Sequence, residues 1–388
     1  MATTHFERTL LRLLTVAFLC PTCFAQDDQS RATQSTQVLP QSKKTALSLF
    51  EVTQPQMGTR CRVLVYARDK ATANNGCRRA FTEMKRLTAI LSDYEKDSEI
   101  RTLCRAEPGR AVSVSDELFQ VLLQSQSLAR KSNGAFDVTV GPFVQLWRAS
   151  RRSRSLPQKS ELTAARNRTG FQRVLLDAHG KTVTLQAESM QLDVGGIAKG
   201  YIADAALQAL RTAGMPRALV DAGGDIVVGD PPPGRAAWRI AVRDLQQRRD
   251  RAGATTEQES AKQGPKKSPN ASPDPQILNL VNQAAATSGD VFQFVEIAGT
   301  RYSHIIDPRT GLGLTQRSSV TVVAKNGMLA DGLASAVSVL GAERGVALIE
   351  ATPETEAFVV EIRGATAEPT RKSSSGFHAL TLPRGEQK

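Results

Sequence analysis

One stretch near the middle of the chain limits its fold more than any other: Asp193-Val194-Gly195-Gly196-Ile197-Ala198-Lys199-Gly200. Strand-like residues from Thr182 to Leu192 run into it, and an Ala/Leu-rich helix from Tyr201 to Ala213, stopped by Gly214, leaves it. A strand that hands over to a helix through a glycine-rich loop leaves unpaired N–H groups at the helix N-terminus. The helix dipole favours an anion there, and Lys199 adds a compact positive charge. Such a loop suits a diphosphate. It is neither a Walker A sequence, in which lysine follows glycine and precedes Ser/Thr, nor a GxGxxG fingerprint, and its glycines equally permit a plain tight turn. Taken alone, the loop leaves both readings open.

Strands and helices alternate around it. Leu47 to Val52 and Cys61 to Tyr66 read as an early hairpin across a Pro-containing turn. Cys77, Phe81, Met84, Leu87 and Leu91 recur at helical spacing, which makes Cys77 a small core residue. Ser115 as N-cap, Asp116 and Glu117 in the first turn, and Arg130-Lys131 before Gly134 mark a second helix. Strands are expected at Ala218 to Asp221, Trp238 to Arg243, Ile277 to Ala284, Ser319 to Ala324 and Ala357 to Ile362, with helices from Asp331 to Leu340 and from Glu343 to Glu350. There is no internal repeat.

The N-terminus has export-signal organisation: Arg8 and Arg12, an apolar run from Leu13 to Leu19, and small residues before a cleavage position near Ala25. Lipid attachment at Cys20 or Cys23 is the alternative to a soluble mature product. Either way the chain is expected to be exported, to a periplasmic or other extracytoplasmic space. The run is too short to span a bilayer, and no later segment reads as a span. The roughly 360 residues left exceed the ~250–300 at which one hydrophobic core stops growing. Polar stretches take up the excess. The expected organisation is a signal peptide at 1–25, a disordered linker at 26–45, one domain at 46–365 with a disordered insert at 247–275, and a tail at 366–388.

Cys61, Cys77 and Cys104 would remain, an odd set without CxxC spacing, so no disulfide framework is indicated. The histidines and cysteines form no zinc-type pattern. The net charge of +12 could suggest a polyanion partner. Much of the excess, however, lies in Arg148-Ala149-Ser150-Arg151-Arg152-Ser153-Arg154 and in the insert, which read as solvated loop, and no nucleic-acid partner is expected.

Asp331 and Ser335 stand four apart on a helix, offering a carboxylate and a hydroxyl on one face to a hard cation such as magnesium. A first-turn aspartate also commonly serves its own helix dipole. His304, in Ser303-His304-Ile305-Ile306-Asp307-Pro308-Arg309-Thr310-Gly311, is the leading general acid/base candidate, because an imidazole titrates near neutrality. Tyr94, in Ser92-Asp93-Tyr94, offers a ring face to a heterocycle.

In order along the chain, MGT at Met57, SDY at Ser92, GAFDVTVGP at Gly134, LDVGGIAKGYIAD at Leu192, DAGGD at Asp221, TSGD at Thr287, SHIIDPRTG at Ser303 and ADGLASAVSVLG at Ala330 resemble the ApbE family of FAD:protein FMN transferases. The resemblance runs from Leu47 to Ile362. It implies an α+β, ApbE-like (T-fold-related) single catalytic domain with mixed or antiparallel sheets and packed helices, and FAD held as substrate in a cleft. Its FAD contacts fall on Met57, Tyr94, Ala135, Phe136, Asp137, Asp193, Lys199 and the His304-Ile305 segment. Its Mg²⁺ site falls on the Gly196 carbonyl, Asp331 and Ser335, with the Ala334 carbonyl as an added oxygen. Many members carry threonine where this chain has Ser335; serine keeps the hydroxyl and loses the methyl that restricts its rotamer. The implied reaction moves FMN from FAD to a threonine or serine of an acceptor protein and releases AMP, with His304 or Asp307 as base. The acceptor would be a membrane-associated or extracytoplasmic electron-transfer protein. FAD storage without chemistry, and FAD hydrolysis to FMN and AMP, are the alternatives.

Overall fold

The computed structural model describes residues 46–242, 276–289, 294–362 and 368–382. The early hairpin is formed by β1 (Ser48–Gln56) and β2 (Thr59–Ala67), paired antiparallel from Ser48↔Ala67 to Gln56↔Thr59. Its turn is the two-residue Met57-Gly58, with φ of 52° and 67°, the doubly positive geometry whose twist matches the strands it joins. Pro55 lies inside β1 and not in the turn. The strand tolerates it because β1 is a sheet edge, where a missing N–H breaks no ladder.

The remaining strands, in chain order, are β3 (Ala111–Ser113), β4 (Val174–Asp177), β5 (Thr182–Leu185), β6 (Ala218–Ala222), β7 (Ile226–Val228), β8 (Trp238–Val242), β9 (Gln276–Leu280) and β10 (Ala284–Gly289). They continue with β11 (Phe294–Ile297), β12 (Thr300–Ser303), β13 (Ile306–Asp307), β14 (Leu312–Gly313), β15 (Arg317–Ala324), β16 (Glu356–Ile362) and β17 (Thr370–Ser373). Eight of them form one sheet in the order β1-β2-β6-β7-β10-β15-β16-β17, antiparallel throughout.

Alternation along these strands divides the core by face. Val63, Val65, Val220, Ala284 and Val322 look toward α1 (Lys70–Leu91) and two later helices, whereas Leu219, Val228, Ala285, Val323 and Val360 look toward the β8–β9 pair and Phe377. The other helices are α2 (Glu99–Leu103), α3 (Asp116–Lys131), α4 (Gly141–Ser153), α5 (Lys159–Asn167), α6 (Ala198–Thr212) and α7 (Gly327–Glu350). Helix α6 packs between α1 and α7, and α7 lies on β10 and β15. Cys77, Phe81, Met84, Leu87 and Leu91 are all buried on α1, and Ser115 caps α3 by accepting Leu118 N at 3.3 Å. All three described cysteines are free and buried.

Several boundaries differ from expectation. The strand expected to Leu192 ends at Leu185, and α6 begins at Ala198, so Lys199 belongs to its first turn. The strand expected from Ile277 to Ala284 is two, β9 and β10, split where Asn282 takes φ 51°. The two late helices are one element broken at Gly341 (φ 77°). It starts at Gly327 behind the Asn326 cap, which accepts Leu329 N at 2.9 Å, so Asp331 sits in the second turn and is not a first-turn dipole partner. By length and composition α7 could cross a membrane, contrary to the sequence reading, but it lies largely in the core.

The basic run expected as loop is mostly helix, with Arg148, Arg151 and Arg152 on α4. The expected tail is also part of the fold: β17 pairs with β16, and Phe377 is fully buried against Phe358. The insert would leave and re-enter at adjacent positions of a hairpin, since Val242 pairs with Gln276. The expected signal peptide, linker and insert (1–25, 26–45 and 247–275) lie outside the described residues.

Candidate functional site

Two helix N-termini cross at the centre of the candidate site. A Cβ on Gly200 would lie 2.0 Å from the Gly327 carbonyl oxygen, and one on Gly327 would lie 2.5 Å from that of Gly200, so glycine at both positions lets the backbones touch. Each helix then caps the other. Asp331 of α7 accepts Gly200 N of α6 at 3.1 Å, while Asp204 of α6 accepts Gly327 N at 2.7 Å and Met328 N at 2.9 Å. Orphan first-turn amides are thus satisfied reciprocally. Burial pushes the Asp204 carboxyl up to about 6, with the two backbone N–H groups pulling the other way.

Four residues earlier on α6's approach and four later on α7, the Ser335 hydroxyl donates to the Gly196 carbonyl at 3.2 Å. The i, i+4 spacing expected for Asp331 and Ser335 therefore becomes two rungs between the same segments. Gly196 O, Ser335 Oγ and the Asp331 carboxylate are hard oxygen donors of the kind Mg²⁺ takes, few in number and suited to a cation that keeps waters or substrate phosphates. Among the described residues no three His, Cys, Asp or Glu side chains cluster as a metal cage. Ala334, expected to add its carbonyl, is fully buried on the same helix, and its oxygen accepts Ser338 Oγ at 2.9 Å.

Lys199 points into the same region, ion-paired with Asp225 and 3.6 Å from Asp331 Oδ1. Burial opposes the lysine's charge, but the two carboxylates override it and raise its pKa. Burial and the charge of Asp331 push the Asp225 carboxyl up, with Lys199 opposing. Asp225 gives the ammonium a second partner, so Lys199 is not held by Asp331 alone. Asp225 follows β6 in a tight loop where Asp221 Oδ1 accepts Gly224 N at 2.9 Å, and a Cβ on Gly223 would meet Thr59 at 2.5 Å. That contact brings the Met57 turn alongside. Phe136 lies beside Gly196, and Ala135 and Phe136 are both buried.

At the other end, Tyr94 is 76 % exposed and the Arg148 guanidinium sits 4.1 Å from its ring centroid. Arg148 also bonds Asp93 at 2.5 Å and approaches Asp193 to 3.9 Å. Burial, then the neighbouring Asp93, raises the Asp193 carboxyl, whose Oδ1 accepts Gly195 N at 2.8 Å. Helix α4 carries Arg148 to this cluster and Trp147 to the histidine segment, where Trp147 Nε1 donates to Gly311 O at 2.8 Å. His304 lies between β12 and β13, with Ile305 N donating to Ser303 Oγ at 3.0 Å.

Two of the expected site residues have their carboxylates engaged by neighbours within the fold. Asp137, expected to contact FAD, has its carboxylate engaged by its own turn and by the segment after α5: Oδ1 accepts Thr139 N at 2.8 Å and Thr139 Oγ1 at 2.7 Å, and Oδ2 accepts Phe171 N at 3.0 Å. Asp307, expected as the alternative base, is clamped by Arg309 through Nε and a terminal nitrogen, both at 2.8 Å. The sequence reading missed Asp204, Asp225 and Arg148. The first two stand inside motifs quoted for the resemblance, but their partners are far away in sequence; Arg148 was hidden in a basic run.

The family model described as the ApbE family matches residues 57–359. The FAD:protein FMN transferase of Vibrio cholerae is 33% identical over 277 residues, covering 70% of this chain and 76% of the relative. That of Treponema pallidum is 32% identical over 320 residues, covering 78% and 82%. Among solved structures, the flavin transferase ApbE from Vibrio cholerae superposes with a TM-score of 0.70 at 29% identity, covering 86% of this chain and 99% of that one. The ApbE protein from Thermotoga maritima gives 0.71 at 26%, covering 87% and 100%.

Proposed function

The chain belongs to the ApbE family and is a flavin transferase, and we propose that it moves FMN from FAD to a threonine or serine hydroxyl of an acceptor protein, with Mg²⁺, releasing AMP. The observation that carries this reading is the convergence of a helix N-terminus bearing Lys199 with the Gly196, Ser335 and Asp331 oxygens, a place built for a diphosphate and a hard cation. Gly196, Ser335 and Asp331 would hold the ion, whose chemistry when bound is to neutralise charge developing on the phosphoryl oxygens. Lys199 adds a fixed positive charge on the diphosphate side, and Asp225 keeps that lysine in place. Tyr94 presents its ring to a heterocycle of FAD, and Asp193 with the Met57 and Phe136 segments lines the cleft.

The acceptor hydroxyl oxygen attacks the phosphorus of the FMN half of FAD. The bond from that phosphorus to the bridging oxygen breaks, AMP leaves with that oxygen, and the hydroxyl proton passes to His304. We retain His304 as base because Asp307 is committed to Arg309. Water in place of the hydroxyl would give FMN and AMP. We further propose that the protein works outside the cytoplasm on a membrane-associated or extracytoplasmic electron-transfer protein, in keeping with the N-terminal export-type sequence.

The test is incubation with FAD, Mg²⁺ and a threonine-bearing acceptor, following AMP by chromatography and protein-bound flavin by fluorescence after denaturation. Asp331→Ala should abolish both products, and His304→Ala should slow transfer more than it weakens FAD binding. Absence of any metal-dependent AMP or labelled acceptor with the intact protein would sink the proposal.

A further inference from the structure

From Gly141 to Arg173 the chain carries eight cations (Arg148, Arg151, Arg152, Arg154, Lys159, Arg166, Arg168, Arg173) against one carboxylate, Glu161, a net +7 of the chain's +12. Four of the eight already have local work. Arg148 pairs with Asp93, Arg166 donates to the Arg309 and Thr310 carbonyls at 2.6 and 3.0 Å, Arg168 donates to Ala164 O at 3.2 Å, and Arg173 donates to Asn167 O. The lone carboxylate, Glu161, accepts Gln158 N at 2.7 Å in a capping box and is turned to its own helix.

Arg151, Arg152, Arg154 and Lys159 are different. All four are exposed, none has a carboxylate partner among the described residues, and they surround the corner between α4 and α5. At that corner Arg154 takes φ 52°, and the next residues bring out Leu156, 44% exposed. The corner is held from behind: Phe143 and Trp147 of α4 and Ala165 of α5 are buried together with Ile297 and Ile306.

We propose that this corner is a docking surface for anionic phospholipid. Exposed cations without carboxylate partners, on either side of an exposed leucine in the chain, are the pattern that binds a negatively charged interface, with the cations at headgroup level and the apolar tip reaching past them. An acidic protein would be matched by the cations alone and would leave Leu156 unexplained. Docking here has a geometric consequence. Arg148 stands one turn before Arg151 and Arg152 on the same helix, so the Tyr94–Asp193 end of the cleft is brought to the lipid surface.

The test is partition of the full chain onto phosphatidylcholine vesicles with and without phosphatidylglycerol, the neutral vesicles giving the baseline contributed by residues 1–45. Binding should require the anionic lipid and weaken with salt. The combined Arg151→Gln, Arg152→Gln, Arg154→Gln and Lys159→Gln variant should lose about fivefold in partition per cation, several hundredfold in all, with AMP release from FAD in solution unchanged. Leu156→Trp should show blue-shifted emission on anionic vesicles and none on a soluble polyanion. Unchanged partition in the combined variant would overturn the proposal. So would variants that bind vesicles normally but show a raised KM for a soluble acidic acceptor, which would reassign the corner to a protein partner.

Discussion

Gly200→Ala is the most discriminating substitution the crossing of α6 and α7 offers, because its sign opposes the usual one. A glycine in a helix interior normally costs about 1 kcal/mol relative to alanine, so the change should stabilise an ordinary helix. Here the new methyl would lie 2.0 Å from the Gly327 carbonyl oxygen, 2.4 Å from its carbon and 2.9 Å from the Asp331 Cβ. Two of those three atoms are backbone and cannot rotate away. To restore even a tight contact, the helices must separate by roughly 1 Å. Overpacking of this kind costs about 1–3 kcal/mol, which outweighs the propensity gain. A clash against backbone atoms belongs at the upper end of that range, which leaves up to about 2 kcal/mol net, and at about 2 °C per kcal/mol for a domain of this size Tm should fall by up to about 4 °C. The larger effect is on activity. Separation pulls Asp331 from Gly200 N and Ser335 from Gly196 O, and a 1 Å misplacement can cost on the order of 10²-fold in rate. Thermal unfolding and AMP release on the same preparation read both. Gly200→Ala with a raised Tm and a parental rate would show that the helices do not meet at these glycines.

Asp204→Asn should alter the pH dependence of stability. A carboxyl held near 6 binds its proton more readily in the folded chain than in the unfolded chain, where it titrates near 3.9. Its contribution is therefore fully present below the unfolded value and is lost as pH rises through about 6. Tm measured across this window should fall with pH more steeply for the parent than for the variant; parallel curves would contradict the buried carboxyl. Arg148→Ala frees the Tyr94 ring and leaves Asp93 and Asp193 facing each other, so KM for FAD should rise about tenfold with kcat within about twofold. A lowered kcat at unchanged KM would place Arg148 in the chemical step.

How far the site could be read from sequence depended on how local each interaction is. Ser115 before Asp116-Glu117, and the spacing of Cys77, Phe81, Met84, Leu87 and Leu91, were legible because cap and stripe involve residues a few positions apart. That Asp331 and Ser335 share one helix face was legible for the same reason. Illegible were contacts made across the fold. Asp204 meets Gly327 across 123 residues, and Gly200 meets Asp331 across 131. Arg148 reaches Asp93 across 55. Composition also misled where packing won over local preference. The arginine run from Arg148 to Arg154 looked like solvated loop, yet Phe143 and Trp147 on the same segment are buried and draw most of it into α4. The last residues looked like a tail, yet β16 had an edge to pair and Phe377 a place beside Phe358. The resemblance could locate the motifs, but it could not say that two of them, at Leu192 and Ala330, cap each other. That reciprocity makes the site one mechanical unit: any change that loosens α7 from α6 moves the Gly196, Ser335 and Asp331 oxygens and the lysine-bearing helix end together. Stability and activity should therefore fall in step for substitutions at the crossing, and separate for those at the Tyr94 end.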